Sequence, residues 1–83
     1  MKSFADRAAE FVPTVARVFG TMPRVLDGSR AVLVGDVKLQ LEAGERELWL
    51  IEMRGALEQR LTMVPVEDGI EAAVREAKEV LGG

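Results

Sequence analysis

Residues 47–53 read Glu-Leu-Trp-Leu-Ile-Glu-Met, and the sidedness of this stretch decides the fold. A short apolar run rich in branched and aromatic residues, ended by Arg54-Gly55, predicts a strand. Successive strand side chains point to opposite faces. Trp49, Ile51 and Met53 therefore share one face. Leu48 and Leu50 share the other, ahead of Glu52 and Arg54. The strand is apolar on both sides, as a centrally placed strand should be.

The neighbouring segments read as its partners. On the N-terminal side Val37, Leu39 and Leu41 alternate with Lys38, Gln40 and Glu42, the pattern of a strand buried on one face. Ala43-Gly44-Glu45 predicts the hairpin loop between the two. Upstream, Ala31–Val34 is a β-branched run, and Gly35-Asp36 breaks it as a bulge or a two-residue turn with glycine first. Arg24 to Leu26 forms a short edge strand against Arg30 to Val34, across an Asp27-Gly28 turn. Downstream, Leu57, Leu61 and Met63 alternate with Glu58, Arg60 and Thr62, and Pro65 closes the run. The middle of the chain is thus an antiparallel meander of three to five strands.

Helices flank it. Phe4, Ala8, Phe11, Val12, Val15, Val18 and Phe19 recur at helical spacing, with Asp6, Arg7, Glu10, Thr14 and Arg17 opposite. Ser3 with Asp6 resembles a capping box, and Gly20 is a natural stop. Pro13 predicts one helix kinked at that point, rather than two short ones, because the periodicity continues through it. A second helix carries Glu67, Asp68 and Glu71 near its start, lines one face with Ile70, Val74, Ala77 and Leu81, and stops at Gly82. The predicted fold is α+β: an N-terminal helix, an antiparallel β-meander of three to five strands and a C-terminal helix packed on the sheet, with residues 1–83 as one domain. At this length stability is about 4–12 kcal/mol, so an interface can add materially to it.

Composition narrows the chemistry. There is no cysteine, which removes disulfides, thiolate nucleophiles and cysteine metal sites. There is no histidine, the commonest general base and transition-metal ligand. The hydroxyls of Ser3, Thr14, Thr21, Ser29 and Thr62 have no imidazole to activate them. Asp27 and Asp36 lack the oxygen-rich spacing of a calcium loop, and no glycine-rich phosphate fingerprint is present. No catalytic residue, cofactor or metal is expected. The net charge is −3, with ten acidic against five basic residues after position 40. That balance disfavours nucleic-acid binding, despite Arg17, Arg24 and Arg30 near the first connection. The uncharged run Phe11–Ala16 is far short of the roughly 20 residues that span a bilayer, and no signal-type apolar segment is evident, so a cytoplasmic location is expected. Eight arginines against three lysines, with no asparagine, give a thermophile-like composition.

What remains is binding. If both helices cover the Trp49 face, Leu48 and Leu50 are left exposed, together with Leu33, as an interface for a homodimer or another protein. Charged substitutions at Leu48 or Leu50 would then break assembly and leave the fold intact. If one helix covers each face, nothing is exposed. The alternative function is an apolar ligand cavity between helices and sheet, near Trp49, Phe11 and Met53. In layout the helix–sheet–helix order is similar to secretion-chaperone-like domains. That similarity of element order, with no motif behind it, implies a dimeric protein binder.

Overall fold

The structure, a computed structural model, describes residues 4–26 and 30–82, with side chains from Glu10 onward. The expected Ser3 cap, the Asp27-Gly28 turn and the side chains of Phe4 and Ala8 lie outside the described residues. Helix α1 spans Phe4–Phe19 and α2 spans Ile70–Gly82. Between them run β1 (Arg24–Leu26), β2 (Ala31–Val34), β3 (Val37–Glu42), β4 (Glu47–Arg54) and β5 (Leu57–Pro65). The five strands form one antiparallel sheet in sequence order, so β1 and β5 are its edges. This is the expected α+β meander, with five strands. No helix among the described residues is long and apolar enough to cross a membrane.

The turns follow from local chemistry. Val34 pairs with Val37 around Gly35-Asp36, and Arg54 with Leu57 around Gly55-Ala56. Gly35 and Gly55 take φ of +60° and +62°, a conformation that glycine adopts without a Cβ clash and that two-residue hairpins require at their first position. At the end of α1 the Gly20 N–H donates to the Ala16 carbonyl at 2.9 Å, satisfying one of the orphan acceptors there. Lys78 of α2 adds a second donor, its Nζ reaching the Val18 carbonyl at 3.1 Å. Pro13 sits within the single helix α1 with its ring exposed, on the side where water can take a freed carbonyl. Helix α2 starts later than the charges imply. The Gly69 carbonyl accepts from Ala73 N–H at 3.3 Å, so Glu67 and Asp68 precede the first turn and Glu71 alone stands in it.

One loop sets the faces of β4. Ala43–Arg46 has four residues, with Glu42 opposite Glu47. Leu39 then faces Leu50, and Leu41 faces Leu48. A three-residue loop would have put Leu39 opposite Trp49, because a shift of one residue turns every side chain over. The extra residue leaves Ala43 and Glu45 at φ of 54° and 64°. Both are costly for residues that carry a Cβ.

The helices consequently lie on the leucine face. Phe11 and Val15 of α1 and Ile70, Ala73, Val74 and Ala77 of α2 form one core with Val32, Leu39, Leu41, Leu48, Leu50 and Val64. Leu48 and Leu50 are 0% exposed. The expectation of an open leucine face is therefore reversed: both helices cover Leu48 and Leu50, and the Trp49 face is left without a layer. A charge at either leucine would enter a dry core beneath two helices and would attack the fold itself. Arg17 of α1 reaches across to Glu71 of α2, which Arg75 one turn along α2 also holds; the Arg75 hydrogen bond and the Arg17 charge keep the Glu71 carboxyl below the usual glutamate range.

Two stability changes follow. Leu50→Ala should cost about 2–5 kcal/mol in a denaturant titration, the range for a truncated, fully buried leucine. Glu45 is 6% exposed and its Oε1 has no hydrogen-bond partner. Glu45→Gly removes both the positive-φ strain and the stranded carboxylate, and should raise stability by roughly 1–2 kcal/mol. A destabilised Glu45→Gly protein would mean that this side chain supports the loop.

Candidate interaction surface

The open sheet face is built by register. Across it run Leu33, Lys38, Ile51 and Arg60 in one row and Ala31, Gln40, Trp49 and Met63 in the next. Met53 stands beside Glu58 at the β4–β5 turn. With no helix above, this surface must make its own cover. Lys38 and Arg60 flank Ile51 on both sides, and long side chains of this kind can lay their alkyl stems on apolar neighbours while the charges stay wet. Ile51 is 1% exposed as a result, and the Lys38 side chain itself is 12% exposed. The Arg60 guanidinium lies 4.7 Å from the centre of the Trp49 ring, a cation–π contact.

The charges are tied into pairs. Arg60 Nη2 is 2.8 Å from Glu42 Oε2, which also accepts from Gln40 Nε2 at 3.0 Å. Trp49 Nε1 donates to Glu47 Oε1 at 3.0 Å, and Lys38 Nζ to Glu58 Oε2 at 3.0 Å. Each bond joins positions that the alternation places on the same face. The open face is thus a lattice of paired charges over an apolar floor, satisfied against water.

The β5 edge is different. Its first five residues, Leu57 to Leu61, are all exposed. Leu57 is 75% and Leu61 46% exposed. A β-bulge falls here, since Leu50 pairs with Thr62 and Ile51 with Arg60, leaving Leu61 as the extra residue. Edge strands carry a row of unpaired backbone donors and acceptors, and such an edge is commonly kept short or charged. The opposite edge, β1, has only three residues. The β5 edge is nine residues long and bears two exposed leucines.

The sequence-predicted residues separate cleanly. Leu33, Trp49 and Met53 lie on the open face, while Leu48, Leu50 and Phe11 lie under the helices. Trp49 and Met53 are half-buried and Phe11 is 0% exposed on the far side of the sheet, so these three cannot line a common cavity. Two open clefts occur elsewhere. One of about 370 Å³ is lined by Val18, Arg75, Lys78 and Glu79, and one of about 200 Å³ by Pro65, Glu67, Asp68, Ala72, Ala73 and Glu76. Both are shallow and charged. Sequence reasoning passed over Leu57 and Leu61 because their alternation read as a one-sided strand. Their position at an edge, beyond the helix layer, is a tertiary fact. No family model, curated protein or solved structure matches the chain.

The Arg60 cover is open to test. Arg60→Ala should red-shift Trp49 emission by uncovering the ring, with a stability loss of about 1 kcal/mol. Unchanged emission would mean that the ring is shielded by its other neighbours.

Proposed function

We propose that the chain is a non-enzymatic protein-interaction or assembly module, homo-oligomeric, that associates through its sheet edge. The observation that supports this is the exposed β5 edge with Leu57 and Leu61. Free strand edges recruit further strands by backbone hydrogen bonding, with side chains choosing the partner. The helix layer offers less: among the described residues its outer surface is charged, and Val80 is the large apolar residue exposed on it. The open face offers less too, because its charges are already paired. The alternative, an apolar ligand between helices and sheet, loses its geometry once Trp49 and Phe11 stand on opposite faces.

Native mass spectrometry of freshly purified protein tests the reading. Ions carrying two or more chains, increasing with concentration, are the expected result. A monomer at every concentration carrying a discrete small adduct would overturn it in favour of ligand binding.

A further inference from the structure

The exposed edge segment is Leu57-Glu58-Gln59-Arg60-Leu61. It reads as its own antiparallel complement. Laid against a second copy with Gln59 opposite Gln59, it sets Glu58 against Arg60, Arg60 against Glu58, and each Leu57 against a Leu61. From this we infer that the partner of the β5 edge is a second copy of this chain, paired antiparallel about Gln59 to give a ten-stranded sheet. The inference rests on the reading of the chain as an assembly module and adds the occupant and the register.

Backbone geometry agrees with that centre. Arg54 and Leu57 close a two-residue hairpin, so their pair is hydrogen-bonded. Antiparallel pairs alternate between bonded and non-bonded. Counting along β5, Leu57 and Gln59 then direct their N–H and C=O groups to β4, and Glu58 and Arg60 direct theirs outward. Outward-facing groups are the ones a new strand can use. The bulge keeps Leu61 facing inward too, since the extra residue of a bulge shares the partner of the residue after it. In the proposed register Glu58 and Arg60 of each copy exchange two backbone bonds with their opposites, four in all. Gln59 faces Gln59 as a non-bonded pair, and so does each Leu57 with a Leu61.

Side chains sort as well. Glu58 and Arg60 lie on the open face, with Met53 and Ile51 beside them. A second copy extends the charge lattice already there: Arg60, held by Glu42, gains the facing Glu58, and Glu58, held by Lys38, gains the facing Arg60. Opposite charges directly across a pair favour this register and like charges disfavour its neighbours. A slip of one residue sets Arg60 against Gln59, and a slip of two brings Arg60 against Arg60 or Glu58 against Glu58. Leu57 and Leu61 cover each other, which accounts for two of the large apolar residues that the described surface leaves exposed. The helices do not obstruct the approach. Helix α2 packs near the Val64 end of β5, and the two-fold axis at Gln59 sends the two Val64 ends apart.

The absence of cysteine makes a direct test possible. Facing Cα atoms in a non-bonded antiparallel pair are about 4.5 Å apart, within disulfide range. Under mild oxidation Q59C should give a disulfide-linked dimer, and V80C, on the exposed side of α2, should stay largely uncross-linked. In sedimentation velocity the Leu57→Lys/Leu61→Lys double variant should weaken association at least about tenfold, by setting lysine against lysine, with unchanged circular dichroism. If the parent assembles but Q59C cross-links no faster than V80C, this pairing is overturned while the assembly reading stands. If the double variant associates like the parent, the edge is not the interface. If the parent is monomeric at all concentrations, both the pairing and the homo-oligomeric reading fall.

Discussion

The β3–β4 register is the constraint on which the rest of the molecule depends. The four-residue loop Ala43–Arg46 sets Leu39 against Leu50 and Leu41 against Leu48. The apolar side chains of two adjacent strands thereby fall on one face, and a continuous leucine floor exists for the helices to cover. The loop holds that register at a local cost, with Ala43 and Glu45 in left-handed backbone and Glu45 buried with its own Oε1 unmatched. Such strain persists only where the surrounding structure over-determines it. Here the β3–β4 ladder closing at Glu42 and Glu47, and the Val66 N–H donated to the Arg46 carbonyl at 2.8 Å, hold the loop on either side.

Covering one face leaves the other to be handled without a layer. Two helices of 16 and 13 residues are enough for one side of a five-stranded sheet. The chain covers the second side with side chains alone. Lys38 and Arg60 bracket Ile51, Arg60 stacks on Trp49, and the ends of these cations are neutralised by Glu58 and Glu42. Individual exposed pairs contribute little to stability. Their effect here is to hold alkyl stems and a guanidinium plane over apolar surface. A sheet face finished in this way has little left to offer a partner. At the β5 edge, by contrast, Leu57 and Leu61 remain exposed.

Much of this was legible in the residues. The periodicities of 3.6 and 2 located both helices and the longer strands, the strand number stayed between three and five, and Gly20, Gly35 and Gly55 marked turns that the structure contains. The candidate surface was half legible. That one sheet face could be left uncovered followed from two amphipathic helices and a strand apolar on both sides, beside the alternative of one helix on each face. The identity of that face did not. Trp49, Ile51 and Met53 look more like core than Leu48 and Leu50 do, because composition alone cannot register that arginine and lysine stems can bury an isoleucine and half-cover a tryptophan. The three-residue reading of the loop carried the same error, since it places Trp49 opposite Leu39.

By itself, then, the sequence determined the elements, their order, the antiparallel sheet and the set of residues too apolar to stay in water. These depend on local propensity and on short-range patterning, which a linear chain displays directly. Tertiary structure alone decided which side of β4 faces the helices, that Trp49 and Phe11 are separated by the sheet, and that Leu57–Leu61 is an open edge beyond the helix layer. Those depend on register and on what packs over what. A single residue of loop length inverts the first of these while leaving every local signal in the sequence unchanged, and the edge position follows from the strand order.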